Sequence, residues 1–187
     1  VFQMVMSLYS LALVFVTGGV TNSLSQLVSS ARARGEGNKI GDYFRLSIIL
    51  TTSIALLIGL IFFILADNIS HVQGVSEGAL SYKLFLVLIP IGAFIGVLRG
   101  IIQGYENMVP TAISQIIEQV FKLILGLGLA YMFAKRSVAS GVFGGFLGIT
   151  LSELLAFVYL GIVTLRRVKL ETPIQKGNFP LLISAIL

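Results

Sequence analysis

Five apolar stretches, each long enough to cross a bilayer as a helix, recur along this chain and leave few folds open to it. They run from about Val1 to Val28, Phe44 to Ala66, Leu80 to Gln103, Pro110 to Ala134 and Val138 to Leu165, and another begins near Phe179. A hydrocarbon core of about 30 Å takes roughly 20 residues of helix. Barrel strands would instead be about 10 residues long with alternating polarity, and no such alternation is present. Only 11% of the 187 residues are charged and 56% are hydrophobic, against about 25% charged in a soluble domain. The expected class is all-α, a polytopic membrane helical bundle. Val1 lies within one apolar run and Leu187 within another, so an internal fragment of a larger transporter is expected. No basic leader precedes the first run, and no signal peptide is expected.

The composition also excludes several chemistries. Cysteine is absent, which removes disulfides, thiolate metal sites and thiol nucleophiles. The single histidine, His71, falls in an expected external loop without a second metal ligand at a recognisable spacing. No glycine-rich phosphate loop follows a strand, so neither an enzyme nor a cofactor is expected. The net charge of +5 is topological, not a nucleic-acid footprint, because the cations flank the spans. Arg32, Arg34, Lys39 and Arg45 separate the first two spans, and Arg166, Arg167, Lys169 and Lys176 follow the fifth; the turn after the third, with Arg99 at its edge, lies on the same side. Lys83, Lys135 and Arg136 lie opposite. By the positive-inside rule the richer side is cytoplasmic.

Polar residues inside the spans form stripes. Ser7, Ser10, Thr17, Thr21, Ser25 and Ser29 recur mostly at spacings of three and four, so they share one face of the first span, widened by Asn22 and Gln26. That face suits a cavity or a helix partner better than lipid. Gly18 and Gly19 interrupt the span and predict a bend or a close contact. Past Arg45 at its edge, the second span carries nothing more polar than Ser47, Thr51, Thr52 and Ser53, which predicts a lipid-facing or supporting helix. In the third, Gly92, Gly96, Gly100 and Gly104 form a four-residue repeat that lets another backbone approach, or serves as a hinge. Pro90, just before it, predicts a kink or a freed carbonyl.

The fourth span begins with Pro110, suited to a first helical turn, and continues through Thr111, Ser114, Gln115, Glu118 and Lys122 at helical spacing. Lys122 falls near mid-depth and Glu118 about 6 Å nearer the basic side at 1.5 Å per residue. Glutamate four residues before lysine is the favoured order for an intrahelical ion pair, and a purely structural pair is one reading. The other is a transport pathway, since ionisable groups at bilayer depth cost on the order of 2.5 to 3.5 kcal/mol and usually face a cavity or a partner. Glu153, near the middle of the fifth span, adds a second carboxylate at similar depth. Two carboxylates and one ammonium leave a negative charge over, making one carboxylate a candidate for proton exchange if the two helices face each other.

The stretch RGIIQGYENMVPTAISQIIEQVFKLILGLGLAY carries the pattern R-G-x-x-Q-G, then N-M-x-P-T-A-x-S-Q, then E-Q, over Arg99 to Gln119. It resembles the central segment of the stage V sporulation protein B and polysaccharide biosynthesis family. That family is close to the MurJ-like lipid flippases of the multidrug/oligosaccharidyl-lipid/polysaccharide superfamily. TGGVTNSLSQLVSSARARG resembles the family's second helix and its basic loop, with Gln26 where a lysine is frequent and Lys122 where an arginine often follows the E-Q pair. The resemblance implies two helical lobes around a central cavity. This chain would supply the second to sixth helices of the N-terminal lobe and the start of the seventh. It further implies export of a lipid-linked saccharide or polysaccharide precursor across the cytoplasmic membrane by alternating access, among membrane lipids and with H⁺ or Na⁺ as a possible coupling ion. Arg99 would stand at the cytoplasmic entrance, with Lys122 deeper along a path shared with Glu118, Glu153, Thr111, Gln115, Thr21 and Ser25. The alternatives are a cation-coupled multidrug antiporter and a non-transporting membrane scaffold whose polar stripes only join helices.

Overall fold

A computed structural model describes residues 2–72 and 79–167; the apolar run near Phe179 lies outside them, as do Lys169 and Lys176. All described elements are helical: α1 Phe2–Thr17, α2 Val20–Ala33, α3 Gly37–Val72, α4 Ala79–Lys83, α5 Phe85–Gly104, α6 Val109–Ala134 and α7 Val138–Arg167. They compose five spans long and apolar enough to cross a membrane, with α1–α2 and α4–α5 each forming one. The chain is thus an all-α, multi-pass membrane protein. Successive spans run antiparallel, which gathers Arg32, Lys39, Arg45, Tyr105 and Arg166 at one end, where the Arg32 guanidinium lies 4.7 Å from the centre of the Tyr105 ring.

The first span breaks where its glycines stand. The Gly18 amide closes on the Val14 carbonyl at 2.8 Å, and a Cβ on Gly18 would sit 2.5 Å from that oxygen. α3 is longer than its apolar stretch, at 36 residues or about 54 Å by helical rise. It therefore carries Lys39, Asp42 and Arg45 at one end and Asn68 and His71 at the other, so His71 sits in the last helical turn and not in a loop. The connection before α3 contains Gly35 at φ 71° and Glu36, whose carboxyl is held below the usual range by a hydrogen bond from Lys39. One face of α3 buries Ser47, Thr51, Ala55 and Gly59, while Ile49, Leu57, Leu60 and Ile64 point outward, as a supporting, lipid-facing helix requires.

In the third span, the residue outside the helices is Leu84, between α4 and α5, and α5 continues through Pro90. Proline lacks an N–H and sets its ring against the carbonyl four residues earlier, so the change falls on the Leu86 carbonyl while the helix continues. The glycine stripe of α5 packs against the first span. A Cβ on Gly100 would approach the Thr21 carbonyl to 2.8 Å, and one on Gly104 would meet Val28 Cβ at 2.5 Å. A second small-residue contact joins α6 to α7, where a Cβ on Gly148 would lie 2.5 Å from the Gly126 nitrogen and one on Gly144 would lie 2.6 Å from the Leu129 carbonyl. α6 relies on this contact. Its buried residues are Pro110, Thr111 and Ser114, and it touches α5 only lightly.

Two apolar cores result. One, toward the basic end, joins Val20, Leu24, Val28, Ile40, Leu98, Ile101 and Leu160. The other gathers Val5, Tyr9, Ala12, Phe85, Leu88 and Phe146 toward the opposite end. The polar side chains of α5, α6 and α7 lie at the level where these cores meet.

Candidate functional site: two carboxylates on a mid-span cavity

α6 turns Ser114, Glu118 and Lys122 onto one line because they are spaced by four, the near-repeat of a 3.6-residue helix. Arg99, one turn and a residue before the end of α5, reaches that line from the neighbouring helix. Its Nη2 donates to Glu118 Oε2 at 2.8 Å and its Nε to Ser114 Oγ at 3.2 Å. Lys122 Nζ donates to the other carboxylate oxygen, Glu118 Oε1, at 3.0 Å. Ser114 passes its own proton to the Thr111 carbonyl at 2.7 Å. The side chains of Arg99, Glu118 and Lys122 are only 18, 13 and 20% exposed. Each oxygen of Glu118 therefore holds one cation, and the cluster keeps one positive charge in excess.

Glu153 sits in a different setting. It is 2% exposed, its Oε1 accepts a hydrogen bond from the Tyr9 hydroxyl of α1, and its Oε2 has no hydrogen-bond partner among the described residues. Both carboxylates line one cavity of about 250 Å³, together with Thr17, Thr21, Arg99, Gln103 and Gln115. Lys122 borders a separate apolar cavity of about 360 Å³ with Phe2, Met6, Leu127 and Ile149.

The residues expected on the pathway are thus distributed unevenly. Arg99, Glu118, Gln115, Thr21 and Glu153 share the cavity wall. Lys122 joins through its bond to Glu118. Thr21 donates to the Gly96 carbonyl at 3.0 Å, tying the first span to α5. Thr111 is buried behind Ser114, and Ser25 packs beside Gly104; neither lines the cavity. Ser7 and Ser10 donate to the carbonyls of Gln3 and Met6 in their own helix. Arg99 is not at the edge of a turn: it lies inside α5 and binds the same carboxylate as Lys122. Tyr9 and Gln103 were not singled out from the sequence. Gln103 stands in the R-G-x-x-Q-G pattern, whereas nothing local marks Tyr9 among other apolar neighbours. Among the described residues, no group of three or more histidine, aspartate or glutamate side chains is placed to hold a metal ion.

A profile of the family described as polysaccharide biosynthesis protein matches residues 1–186. The chain belongs to the polysaccharide biosynthesis protein family. Two curated Bacillus subtilis (strain 168) relatives are the stage V sporulation protein B, 29% identical over 85% of the chain and 31% of the relative, and the lipid II flippase MurJ, 28% identical over 77% of the chain and 31% of the relative. An uncharacterized membrane protein of that organism, YabM, is 24% identical over 74% of the chain and 25% of its own length. The chain therefore spans between a quarter and a third of the length of these relatives. No solved structure matches it. For this polysaccharide biosynthesis family member, the matched range includes Arg99, Glu118, Lys122 and Glu153.

Proposed function

We propose that this chain is part of a flippase that moves a lipid-linked saccharide or polysaccharide precursor across the cytoplasmic membrane by alternating access, with its basic loops in the cytoplasm. The observation that carries this reading is the Arg99–Glu118–Lys122 cluster on a polar cavity within the spans, in a family whose relatives include a lipid II flippase. A membrane scaffold gains nothing from an excess positive charge at that depth, where charge is expensive. A carrier of an anionic headgroup does. Arg99 and Lys122 would receive the phosphate groups, with Glu118 holding both cations in place until the headgroup displaces it. Thr21, Gln103 and Gln115 offer hydrogen bonds to sugar hydroxyls. The lipid tail would remain among membrane lipids, and the rest of the pathway would come from the part of the relatives' length that this chain does not span. A coupling ion, H⁺ or Na⁺, belongs to the same reading.

The test is rescue of cells depleted of their lipid II flippase by the complete protein, with a double Arg99→Ala, Lys122→Ala variant beside it. Rescue by the unmodified protein and its loss in the variant, at equal membrane abundance, is the expected outcome. Correct insertion without rescue would move the assignment to a multidrug antiporter.

A further inference from the structure

We propose that Glu153 is a proton-binding site of this protein, with Oε2 carrying the proton and Tyr9 as its positioning residue. Its role in coupling rests on the transport reading above, but the proton site itself does not.

Oε2 is closed to water and has no hydrogen-bond partner among the described residues, although Glu153 borders a cavity of about 250 Å³. Gly92 and Leu13 line that cavity beside Glu153, and a Cβ built on Gly92 would lie 3.7 Å from Oε2 and 2.7 Å from a Leu13 methyl carbon. Hard metal cations gather several oxygen ligands, and among the described residues no group of three or more acidic or histidine side chains is placed to hold one. A proton needs neither volume nor further ligands.

Charge gives the second step. The charged and titratable groups acting on Glu153 are Tyr9 from α1, Arg99 from α5, and Glu118 and Lys122 from α6. Both cations are already closed on Glu118, and Tyr9 contributes a neutral phenol to Oε1. An ionised Glu153 would be a buried charge whose cationic neighbours, Arg99 and Lys122, are already paired with Glu118, and a buried charge without a pair of its own is costly. With a proton on Oε2 the side chain is neutral, and Tyr9 fixes which oxygen remains free to take it. Loss of that proton obliges Lys122 or Arg99 to turn away from Glu118, or water to enter from the cavity. Proton occupancy on α7 is in this way coupled to the ion cluster on α5 and α6.

Infrared difference spectroscopy on the complete protein in lipid nanodiscs tests this. A carbonyl band of a neutral carboxylic acid is expected near neutral pH. It should disappear in Glu153→Gln and change frequency in Tyr9→Phe, and sodium at fixed pH should leave it unaltered. Absence of the band from the unmodified protein, or its persistence in Glu153→Gln, overturns the proposal, as does replacement of the acid band by a sodium-dependent carboxylate band. Should Glu153→Gln fail to fold, Tyr9→Phe decides: an unmoved band refutes the proposal. A protein that keeps the band but cannot rescue flippase-depleted cells retains the proton site and loses the transport reading.

Discussion

Glu118 and Glu153 stand on the same cavity and are held in opposite ways. Glu118 is gripped by two cations from two helices, which fix its carboxylate in place. Glu153 has one neutral donor and an oxygen without a hydrogen-bond partner among the described residues. Two carboxylates within the spans therefore differ in their settings: one is tied between helices by cations, and the other, on the proposal above, takes up and releases a proton. The first should matter most for stability and the second for response.

Substitutions can break this contrast, and the largest effect is expected at Glu118. Glu118→Ala leaves Arg99 and Lys122 half-buried without a counter-ion, and losing one member of a buried ion pair costs on the order of 3 to 5 kcal/mol. Thermal unfolding of the complete protein in detergent measures it, and a loss below about 1 kcal/mol would show that the clasp does not hold the helices. Arg99→Ala should cost less, about 1.5 to 3 kcal/mol, the range for hydrogen bonds to charged groups, because Lys122 still pairs with Glu118. Cross-linking between cysteines introduced on α5 and α6 should become less efficient in this variant. Tyr9→Phe removes one hydrogen bond, worth about 0.5 to 1.5 kcal/mol, in the same unfolding assay. Glu153→Gln should be the mildest of the four, below about 1 kcal/mol, since an amide occupies the place of a neutral acid and keeps an acceptor for Tyr9. A Glu153→Gln variant that falls as far as Glu118→Ala would erase the distinction between the two carboxylates.

The pairing of Glu118 with Lys122 and the all-helical architecture were legible because hydropathy and helical period report directly on spans and faces. The position of Arg99 was harder. Hydropathy locates helix ends only to within a few residues, and that margin separates a side chain at a membrane surface from one that reaches across to α6. The Tyr9–Glu153 contact joins residues 144 positions apart, and no local pattern announces such a partner. The α6–α7 approach at Gly126 and Gly148 was not singled out although a signal was there: Gly144 and Gly148, like Gly141 and Gly145, stand four residues apart, as the glycines of α5 do. Pro90 predicts a kink or a freed carbonyl, and α5 continues through it, so the change falls on one backbone acceptor and not on helix continuity.

The bond from Arg99 to Glu118 also bears on how the protein is made. α5 and α6 are consecutive spans joined by residues 105–108, with Glu106 at φ 60° tightening the turn. A nascent α6 entering lipid by itself would carry a glutamate and a lysine; entering as a hairpin beside α5, its glutamate meets the arginine already there. The insertion machinery should therefore release these two spans together, and separating them with a long hydrophilic linker should leave α6 poorly integrated.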